Sequence, residues 1–363
     1  ADFGKLKPLM HVLETHEDFC VHLFVTGMHL DETYGYTVHE IEKSGFKNIH
    51  CFINHDGETS MDMAMSKTIA GFSSYVKKLE PHLIVVHGDR VETLAGASVG
   101  ALNNILVAHV EGGEISGTVD ELIRHAVSKL SHTHFVANED ARRRLLQMGE
   151  KEESIFLIGS PDMDIMLGDT LPSLEMAKQR YEIMFDNYAV SLFHPVTTEI
   201  EYIKDYAENC FKALEESGVN YVCVFPNNDT GSEEIMHRLQ QLKQNQHFKI
   251  FPSLRFEYFL TLLKHAIFII GNSSAGIREA PYYGVPVINA GTRQSGRSYN
   301  ADIIHSHIKK NELLSAIDAA IHQQKKINGK ALFGTGNSAA HFAETLGTIA
   351  FWATRKQKEF AAV

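Results

Sequence analysis

Short apolar runs rich in β-branched and aromatic residues alternate with helical patterns along most of this chain. Parallel strands covered by helices on both faces have this pattern, because neither face of such a strand meets water. The alternation therefore predicts an α/β fold built from doubly wound parallel sheets. The predicted strands are Cys20–Val25, Ile49–Ile53, Leu83–His87, Ile105–Val110, Thr133–Ala137, Ile155–Ile158, Val190–Phe193, Tyr221–Phe225, Phe248–Phe251, Ile267–Ile270, Val285–Ile288 and Ile303–His305. Predicted helices include Lys5–Glu14, Phe256–Lys264 and Glu312–Ile321.

The two series of predicted strands are separated by residues 168–173, which contain Gly, Asp, Thr, Pro and Ser. With 363 residues, of which 44% are hydrophobic, the chain can bury the cores of two domains. We predict one Rossmann-like domain over residues 1–168 and a second over residues 169–337. Within residues 338–363 a terminal helix is predicted from about Ser338 to Thr354. We expect the two domains to face one cleft.

Composition limits the classes of partner. The formal net charge of −11 disfavours a nucleic-acid partner held by overall electrostatics, so any phosphate site must be local. No apolar run approaches the roughly 20 residues of a membrane-spanning helix, and we expect no signal peptide before the fold. Cys20, Cys51, Cys210 and Cys223 show no C-x-x-C spacing. This pattern predicts reduced thiols in the protein core and a cytoplasmic protein.

The sequence predicts neither a metal nor a cofactor. No G-x-G-x-x-G follows a predicted strand, and no G-x-x-x-x-G-K-[ST] occurs, which disfavours a nicotinamide site or a P-loop. His132 and His134 lie two residues apart on a predicted strand, but no third ligand follows at a zinc-like spacing. We therefore expect these histidines to be structural.

Carboxylates and basic side chains are concentrated in residues 109–125, where a predicted strand gives way to a helix. Glu111 directly follows the strand and so lies at the carboxyl end, which faces the ligand in open α/β sheets. Asp120, Glu121 and Arg124 belong to the helix that follows. Asp120 and Arg124 are four residues apart and could form an ordinary helix salt bridge. The alternative, which the pattern favours, is acid/base chemistry by Glu111 and Asp120.

Two more strand ends carry candidate residues. His194 follows Val190–Phe193, where it could transfer protons or bind phosphate. Asp89 and Arg90 follow Leu83–His87. Asp89 is either a third carboxylate of the site or the N-cap of the next helix.

The segment that begins at Gly271 predicts an anion site. A strand, a glycine turn and a helix that opens with Asn272, Ser273 and Ser274 would offer free N–H groups to a phosphate, although serine also serves as a simple N-cap. Glu279, about a turn further on, could bind ribose hydroxyls or be an ordinary helix acid. Arg293 lies in a loop suited to an anionic ligand, or else it is solvated.

Together these motifs resemble the UDP-N-acetylglucosamine 2-epimerase family, specifically the hydrolysing branch that feeds sialic acid synthesis. The non-hydrolysing branch has Ala-Gly-Leu-Arg in place of Gly112-Gly113-Glu114-Ile115, and Asn-Arg in place of Ile123-Arg124. The matching motifs are Ala1-Asp2-Phe3-Gly4, His87-Gly88-Asp89-Arg90, His109-Val110-Glu111-Gly112-Gly113-Glu114, Asp120-Glu121 through Arg124-His125, His194-Pro195-Val196-Thr197-Thr198, Gly271-Asn272-Ser273-Ser274 and Gly291-Thr292-Arg293.

The resemblance implies a glycosyltransferase-B architecture, a terminal helix that crosses back to the first domain, and a homodimer or tetramer. It implies UDP-N-acetylglucosamine as the substrate, and N-acetylmannosamine and UDP as the products. It also implies a Gly-x-Arg segment before Ala1 whose arginine touches the diphosphate. The alternatives are a relative that acts on a 2,4-diacetamido-trideoxy sugar, a non-hydrolysing epimerase, a glycosyltransferase of the same architecture and a non-enzymatic nucleotide-sugar sensor.

For the favoured reaction we expect Glu111 and Asp120 to make the two proton transfers at C2, in an order that the sequence leaves open. Asp89 would orient the substrate or stabilise charge, and the clustered carboxylates would raise one another's pKa. The other expected contacts with substrate or diphosphate are Arg90, Glu121, Arg124, His194, Gly271, Ser273, Ser274, Glu279 and Arg293.

Overall fold

The computed structural model describes residues 2–55, 60–297, 302–323 and 333–361. The strands are β1 (His22–Val25), β2 (Asn48–Cys51), β3 (Leu83–His87), β4 (Leu106–Val110), β5 (Thr133–Val136), β6 (Ile155–Leu157), β7 (Ala189–Leu192), β8 (Tyr221–Val224), β9 (Phe248–Phe251), β10 (Ile269–Gly271), β11 (Val287–Ala290) and β12 (Ile304–Ser306). The α-helices are α1 (Asp2–Glu14), α2 (Val38–Glu42), α3 (Met61–Leu79), α4 (Val91–Leu102), α5 (Val119–Leu130), α6 (Glu139–Gln147), α7 (Pro161–Leu167), α8 (Leu174–Arg180), α9 (Ile203–Glu216), α10 (Ser232–Gln241), α11 (Phe256–His265), α12 (Glu279–Tyr282), α13 (Lys310–His322), α14 (Ser338–Leu346) and α15 (Ile349–Trp352). Short 3₁₀ helices are Gly27–Leu30, Glu32–Tyr34, Glu152–Ser154, Thr197–Tyr202, Leu242–Gln244 and Ser274–Gly276.

The chain forms two compact units. Unit 1 comprises Ala1–Ile115, Asp120–Asp169 and Ala331–Val363, and unit 2 comprises Ser116–Val119 and Thr170–Lys330. The last segment of the chain therefore belongs to unit 1. No helix of the described ranges is long and apolar enough to cross a membrane.

Unit 1 contains two parallel sheets. β1 pairs with β2, and β3, β4, β5 and β6 form a four-stranded sheet in that order. In the register of β3 and β4, His87 lies opposite Val110. The residues that directly follow these two strands therefore leave the sheet side by side. All of β4 is buried, as its apolar run predicts.

Helix α14 completes the core of unit 1. Phe342 of α14 lies edge-on to Phe135 of β5, with ring centroids 4.6 Å apart. Asp164 of α7 accepts hydrogen bonds from the backbone N–H groups of Ser338 and Ala339, at 2.9 and 2.8 Å. This carboxylate satisfies donors that the first turn of a helix leaves unpaired. A ring pair and a cap thus fix the start of the terminal segment.

Unit 2 contains one six-stranded parallel sheet in the order β12-β11-β10-β7-β8-β9. Its core is formed by fully buried side chains of the sheet and of the helices that cover it, among them Phe211, Leu214, Tyr221 and Ile270. The α/β class and the parallel sheets that the alternating pattern predicts are confirmed in both units.

Some predicted boundaries are wrong by one or two residues. β10 begins at Ile269 instead of Ile267, and β11 begins at Val287 instead of Val285. Pro286 lacks an N–H group and cannot donate to a strand ladder, which accounts for the later start of β11. The predicted terminal helix is interrupted between α14 and α15, and Thr348 caps the second helix by accepting a hydrogen bond from the Phe351 N–H.

The regular helix predicted to open at Ser273 and Ser274 is also wrong. The chain forms a 3₁₀ turn at Ser274–Gly276 and then the short helix α12. Pro281 has no N–H to donate to the carbonyl of Ile277, so a continuous α-helix through this segment would lose one hydrogen bond and is disfavoured. The macrodipole of a long helix is therefore missing from the predicted anion site.

Candidate active site

Glu111 directly follows β4 at the carboxyl edge of the four-stranded sheet. Its backbone is left-handed, with a φ of 64°, a conformation that is strained for a residue with a side chain. The Glu111 N–H donates to the Phe135 carbonyl oxygen at 2.9 Å, and Arg124 Nη1 donates to the Glu111 carbonyl oxygen at 2.5 Å. Strand β5 and helix α5 therefore fix the strained turn.

The Glu111 side chain is 4% exposed, and its carboxylate contacts two other side chains. Ser160 Oγ donates a hydrogen bond to Oε1 at 2.5 Å, and His87 Nε2 lies 3.4 Å from Oε2. On its other side, His87 Nδ1 lies 3.3 Å from Asp2 Oδ1. Burial alone would lower the pKa of His87, but the carboxylates of Glu111 and Asp2 raise it to about 9. At neutral pH this histidine is therefore a cation between two anions.

Asp89 lies beside the same cluster. Its Oδ2 forms an ion pair with Arg124 Nη2, and the Arg124 side chain is 4% exposed. Arg124 thus bridges the Asp89 carboxylate and the Glu111 backbone, and its guanidinium reaches beyond its own helix. The N-cap position of α4 is occupied by Arg90, so the N-cap interpretation of Asp89 is wrong.

A buried histidine supports the turn that carries Asp89. His109 Nε2 lies 2.8 Å from the Gly88 carbonyl oxygen, and its Nδ1 lies 3.1 Å from Ser128 Oγ. Burial lowers the pKa of His109 to about 3. The neutral ring therefore donates its Nε2 proton to Gly88 and accepts a hydrogen bond from Ser128 at Nδ1. This orientation fixes the residue immediately before Asp89.

The other candidates of unit 1 lie in two places. Asp120 is 8% exposed and lies in the first turn of α5. Glu121 Oε1 lies 3.3 Å from His125 Nε2 along the same helix, and both side chains are partly exposed. Arg90 lies next to Met28, with Nη2 3.9 Å from the sulfur. Of the candidates in unit 1, Asp89 and Glu111 are connected through Arg124, which contacts the Asp89 carboxylate and the Glu111 carbonyl oxygen.

In unit 2, Asn272 holds the backbone of His194. Asn272 Oδ1 accepts from the His194 N–H at 2.7 Å, and Asn272 Nδ2 donates to the His194 carbonyl oxygen at 2.8 Å. The ring is held separately, because the Asn227 N–H donates to His194 Nδ1 at 3.0 Å. A neutral His194 must then carry its proton on Nε2. Arg293 Nη1 donates to the Asn272 carbonyl oxygen at 3.4 Å, so Asn272 links both candidates.

The remaining residues of the predicted anion site surround the end of β10. Gly271 has a φ of 140°, and a Cβ there would lie 1.8 Å from the Leu192 carbonyl oxygen, so only glycine fits. Ser273 Oγ accepts from the Ala275 N–H at 3.3 Å, which is the capping role that the alternative interpretation expected. Ser274 begins the 3₁₀ turn, and Glu279 is 2% exposed.

The structure gives His132 and His134 other partners than a metal. His132 Nδ1 accepts from the Val107 N–H at 3.0 Å, and Nε2 lies 3.0 Å from the Lys356 carbonyl oxygen. His134 Nε2 lies 3.0 Å from Glu150 Oε2. Within the described part of the chain, no group of three histidine, cysteine, aspartate or glutamate side chains is arranged to hold a metal ion.

Sequence reasoning missed several residues of these sites. His87 and Ser160 contact Glu111, and Asn227 and Asn272 orient His194. For two of them the signal was present in the sequence, because His87 ends a strand whose next residues were candidates and Ser160 follows β6. The rule that carboxyl ends of parallel strands face the ligand applies to these positions as well.

Comparison with known proteins supplies the family. The sequence model of UDP-N-acetylglucosamine 2-epimerase matches residues 11–347. The UDP-N-acetylglucosamine 2-epimerase of Neisseria meningitidis serogroup B is 49% identical over 362 residues, which cover 99% of this chain and 96% of that protein. The UDP-N,N'-diacetylbacillosamine 2-epimerase (hydrolyzing) of Legionella pneumophila is 34% identical, over 96% of this chain and 93% of that protein.

A solved structure agrees with these sequence matches. The Methanocaldococcus jannaschii UDP-GlcNAc 2-epimerase, in complex with UDP-GlcNAc and UDP, superposes with a TM-score of 0.78 at 25% identity, covering 95% of this chain and 96% of that one. The fold is thus that of a two-unit α/β protein of the nucleotide-sugar epimerase class. The chain belongs to the UDP-N-acetylglucosamine 2-epimerase family.

Proposed function

We propose that this protein is a hydrolysing UDP-N-acetylglucosamine 2-epimerase, which converts UDP-N-acetylglucosamine and water into N-acetylmannosamine and UDP. The observation that carries this proposal is the buried Glu111 carboxylate, which His87 and Ser160 hold beside the Asp89–Arg124 ion pair. The segments Gly112-Gly113-Glu114-Ile115 and Ile123-Arg124 support the hydrolysing branch, as does the Legionella relative whose name includes hydrolysis.

The reaction begins with cleavage of the bond between C1 and the oxygen of UDP. The electron pair leaves with the diphosphate, and positive charge develops at C1. That charge acidifies the C2–H bond, so a carboxylate can remove the proton while the C–H electrons form the double bond of a 2-acetamidoglucal. Glu111 and Asp120 are our candidates for this step and for the later return of a proton.

The second half-reaction completes both inversion and hydrolysis. A proton adds to C2 from the opposite face, and water adds to C1 with loss of one of its protons. Two acid/base groups must therefore flank the sugar ring. Asp89 is paired with Arg124, and this pairing supports a role in orienting the substrate or stabilising charge. No step of this scheme requires a metal or an organic cofactor.

Unit 2 would bind the departing diphosphate. Since His194 Nδ1 accepts the Asn227 N–H, a neutral His194 has an Nε2 proton to donate to a phosphate oxygen. Arg293, Ser273, Ser274 and the backbone at Gly271 would add further donors or charge. This arrangement favours His194 as a hydrogen-bond donor over the proton-transfer role that the sequence also allowed.

The proposal includes the cellular setting that the resemblance implies. The reaction would be the first committed step of sialic acid synthesis, carried out in the cytoplasm by a homodimer or tetramer. All four cysteines are free thiols, which is compatible with a reducing compartment. Cys210 and Cys223 are buried as predicted, but the prediction of core thiols is wrong for Cys20 and Cys51, which are exposed. Light scattering of the purified protein will give its oligomeric state.

Product analysis tests the proposal. Incubation with UDP-N-acetylglucosamine, followed by phosphorus and proton NMR, should give UDP and free N-acetylmannosamine in equal amounts. UDP-N-acetylmannosamine as the product would identify a non-hydrolysing epimerase. Turnover of only the 2,4-diacetamido-trideoxy substrate would favour the activity named for the Legionella relative. Release of UDP only with an added acceptor would identify a glycosyltransferase, and binding of the nucleotide sugar without turnover would identify a sensor.

A further inference from the structure

Glu111 is placed where an ionised carboxylate needs a counter-charge. It is 4% exposed, and a buried carboxylate without a partner cation loses several kcal/mol of hydration. Arg124 contacts Glu111 through the backbone carbonyl oxygen, while its Nη2 pairs with Asp89. His87 places a cation beside the Glu111 carboxylate itself, with Nε2 3.4 Å from Oε2.

The fold builds this contact into the ends of the strands. His87 is the last residue of β3, and it lies opposite Val110, the residue immediately before Glu111. Ser160 follows β6 and precedes α7, and its side chain is fully buried. The Ser160 N–H donates to the Phe333 carbonyl oxygen at 2.6 Å, which fixes its backbone while Oγ donates to Glu111 Oε1 at 2.5 Å.

We propose that His87 and Ser160 are positioning residues for Glu111: the imidazolium of His87 keeps the carboxylate ionised, and the hydroxyl of Ser160 fixes its orientation for proton transfer at C2. This inference rests on the proposed epimerase function. A hydroxyl that donates 2.5 Å from Oε1 matches an acceptor-only carboxylate oxygen. The carboxylate keeps lone pairs that the Ser160 hydrogen bond does not use, and one of them can accept the proton from C2.

The charge of His87 depends on groups from several elements. Asp2 of α1 and Glu111 raise its pKa to about 9, against the effect of burial. His109 of β4 is neutral, since burial lowers its pKa to about 3. Further charged groups on the neighbouring elements include Asp89 and Arg90, which follow β3, Arg124 of α5, and the pair of Lys5 in α1 with Asp162 in α7. With these neighbours, His87 stays protonated at neutral pH, where the enzyme is expected to work.

The pH dependence of turnover distinguishes this role from a merely structural one. The His87→Gln variant keeps a hydrogen-bond donor but loses the charge. We expect its kcat to fall about tenfold and the acidic limb of its kcat–pH profile to move upward by about one pH unit, because Glu111 would then protonate more easily. The Ser160→Ala variant should lose about fivefold to tenfold in kcat without that shift, and Ser160→Thr should recover part of the loss. In each variant KM and UDP affinity should stay within about twofold.

The matched control is His134→Gln, which changes the other buried histidine that contacts a glutamate. It should leave the kcat–pH profile of folded enzyme at its wild-type position. UDP titration gives the fraction of competent enzyme in every variant, so that kcat refers to folded protein. An unshifted acidic limb in His87→Gln, or wild-type kcat in both site variants, would overturn the proposal.

Two controls keep the test decisive. Nitrogen-15 NMR of the wild-type imidazoles needs no variant: at pH 7 both ring nitrogens of His87 should be protonated, and a neutral His87 ring would refute the inference. Wild-type enzyme must also convert UDP-N-acetylglucosamine under the same conditions. If it does not, the proposed function is wrong. If the wild type is active and the variants have its kcat and its kcat–pH profile, only the roles proposed for His87 and Ser160 are wrong.

Discussion

His87 pairs with Glu111 and His134 pairs with Glu150, and both pairs are buried in unit 1. They consist of the same two residue types, yet the charge lies on different partners. His87 contacts two carboxylates, which raise its pKa to about 9. Burial instead lowers the pKa of His134. The first histidine is therefore a cation at neutral pH, and the second is a neutral donor.

The difference arises from the other cations near each glutamate. Lys129 Nζ and Lys358 Nζ lie 2.8 and 2.6 Å from the carboxylate oxygens of Glu150. Burial alone would raise the pKa of Glu150, but hydrogen bonds from His134 and the two lysines lower it to about 2. With two ammonium groups present, Glu150 needs no charge from His134. At Glu111 the imidazolium of His87 supplies positive charge, with Nε2 3.4 Å from Oε2.

The two glutamates also differ in place. Glu111 lies after a strand, in a strained turn at the edge of the sheet that faces ligands in α/β folds. Glu150 lies before β6, and it forms an ion pair with Lys358 of the last segment of the chain. Lys358 Nζ also donates hydrogen bonds to the Ser128 and Ser131 carbonyl oxygens. We infer that the first pair serves chemistry and the second fastens the C-terminal segment.

The largest expected difference concerns turnover. Glu111→Gln should lower kcat by about 10²–10⁴-fold, because it removes a proton-transfer group. Glu150→Gln should keep kcat within about threefold, since Glu150 lies outside the proposed site. Initial rates with UDP-N-acetylglucosamine and UDP affinity by calorimetry check both expectations. Equal losses of kcat in the two variants would abolish the proposed distinction.

The free energy of unfolding should fall more in Glu150→Gln than in Glu111→Gln, which is the opposite of the order expected for kcat. Glu150→Gln leaves the ammonium groups of Lys129 and Lys358 without their carboxylate and should lower the free energy of unfolding by about 3 kcal/mol. Glu111→Gln relieves a buried charge at a strained functional site and should cost less. Urea unfolding of the folded variants measures both values. A greater loss for Glu111→Gln would mean that this residue is chiefly structural.

The pairs should also set different pH limits on stability. The pKa of His87 is raised in the folded state. The contribution of its charge to the free energy of unfolding is therefore complete below pH 6.5 and is lost as pH rises through about 9. The pKa of Glu150 is lowered, so its contribution is complete above about pH 4.5 and is lost as pH falls toward about 2. Unfolding free energies across pH should show His87→Gln flattening the alkaline side and Glu150→Gln the acidic side. The reverse assignment would contradict the charge states given above.

The smallest expected effect is that of Lys358→Met. Lys129 still contacts Glu150 in this variant, and the Lys358 side chain is 24% exposed, so solvent already screens part of its interaction. We expect a loss of about 1 kcal/mol in unfolding free energy and no change in kcat. Urea unfolding again provides the value. A loss as large as that of Glu150→Gln would mean that Lys358 alone neutralises the carboxylate.

The sequence predicted the strands well because parallel strands buried on both faces must be apolar along their length. β3 and β9 have the predicted bounds, and β4 differs by one residue. The helix after Gly271 was not predicted correctly, since its opening serines suggested a regular helix while Pro281 disfavours one. Serines favour the start of a helix and proline disfavours its continuation, and the local sequence alone does not show which preference prevails.

The candidate site was only partly predictable for a different reason. Position after a strand identifies Glu111 and Asp89, but it does not reveal which cation contacts each one. The expectation that clustered carboxylates raise one another's pKa left out His87 and Arg124, which place positive charge among them. Those contacts depend on which strands are neighbours in the sheet. They also join residues that are far apart in the sequence, such as Asp89 and Arg124, which are 35 residues apart.

Proton NMR in heavy water tests the central claim that Glu111 takes part in proton transfer at C2 of UDP-N-acetylglucosamine. Wild-type enzyme should release UDP and N-acetylmannosamine with deuterium at C2, and Glu111→Gln should bind UDP but give neither product at a comparable rate. N-acetylmannosamine that keeps hydrogen at C2, or undiminished product formation by Glu111→Gln, would contradict the account.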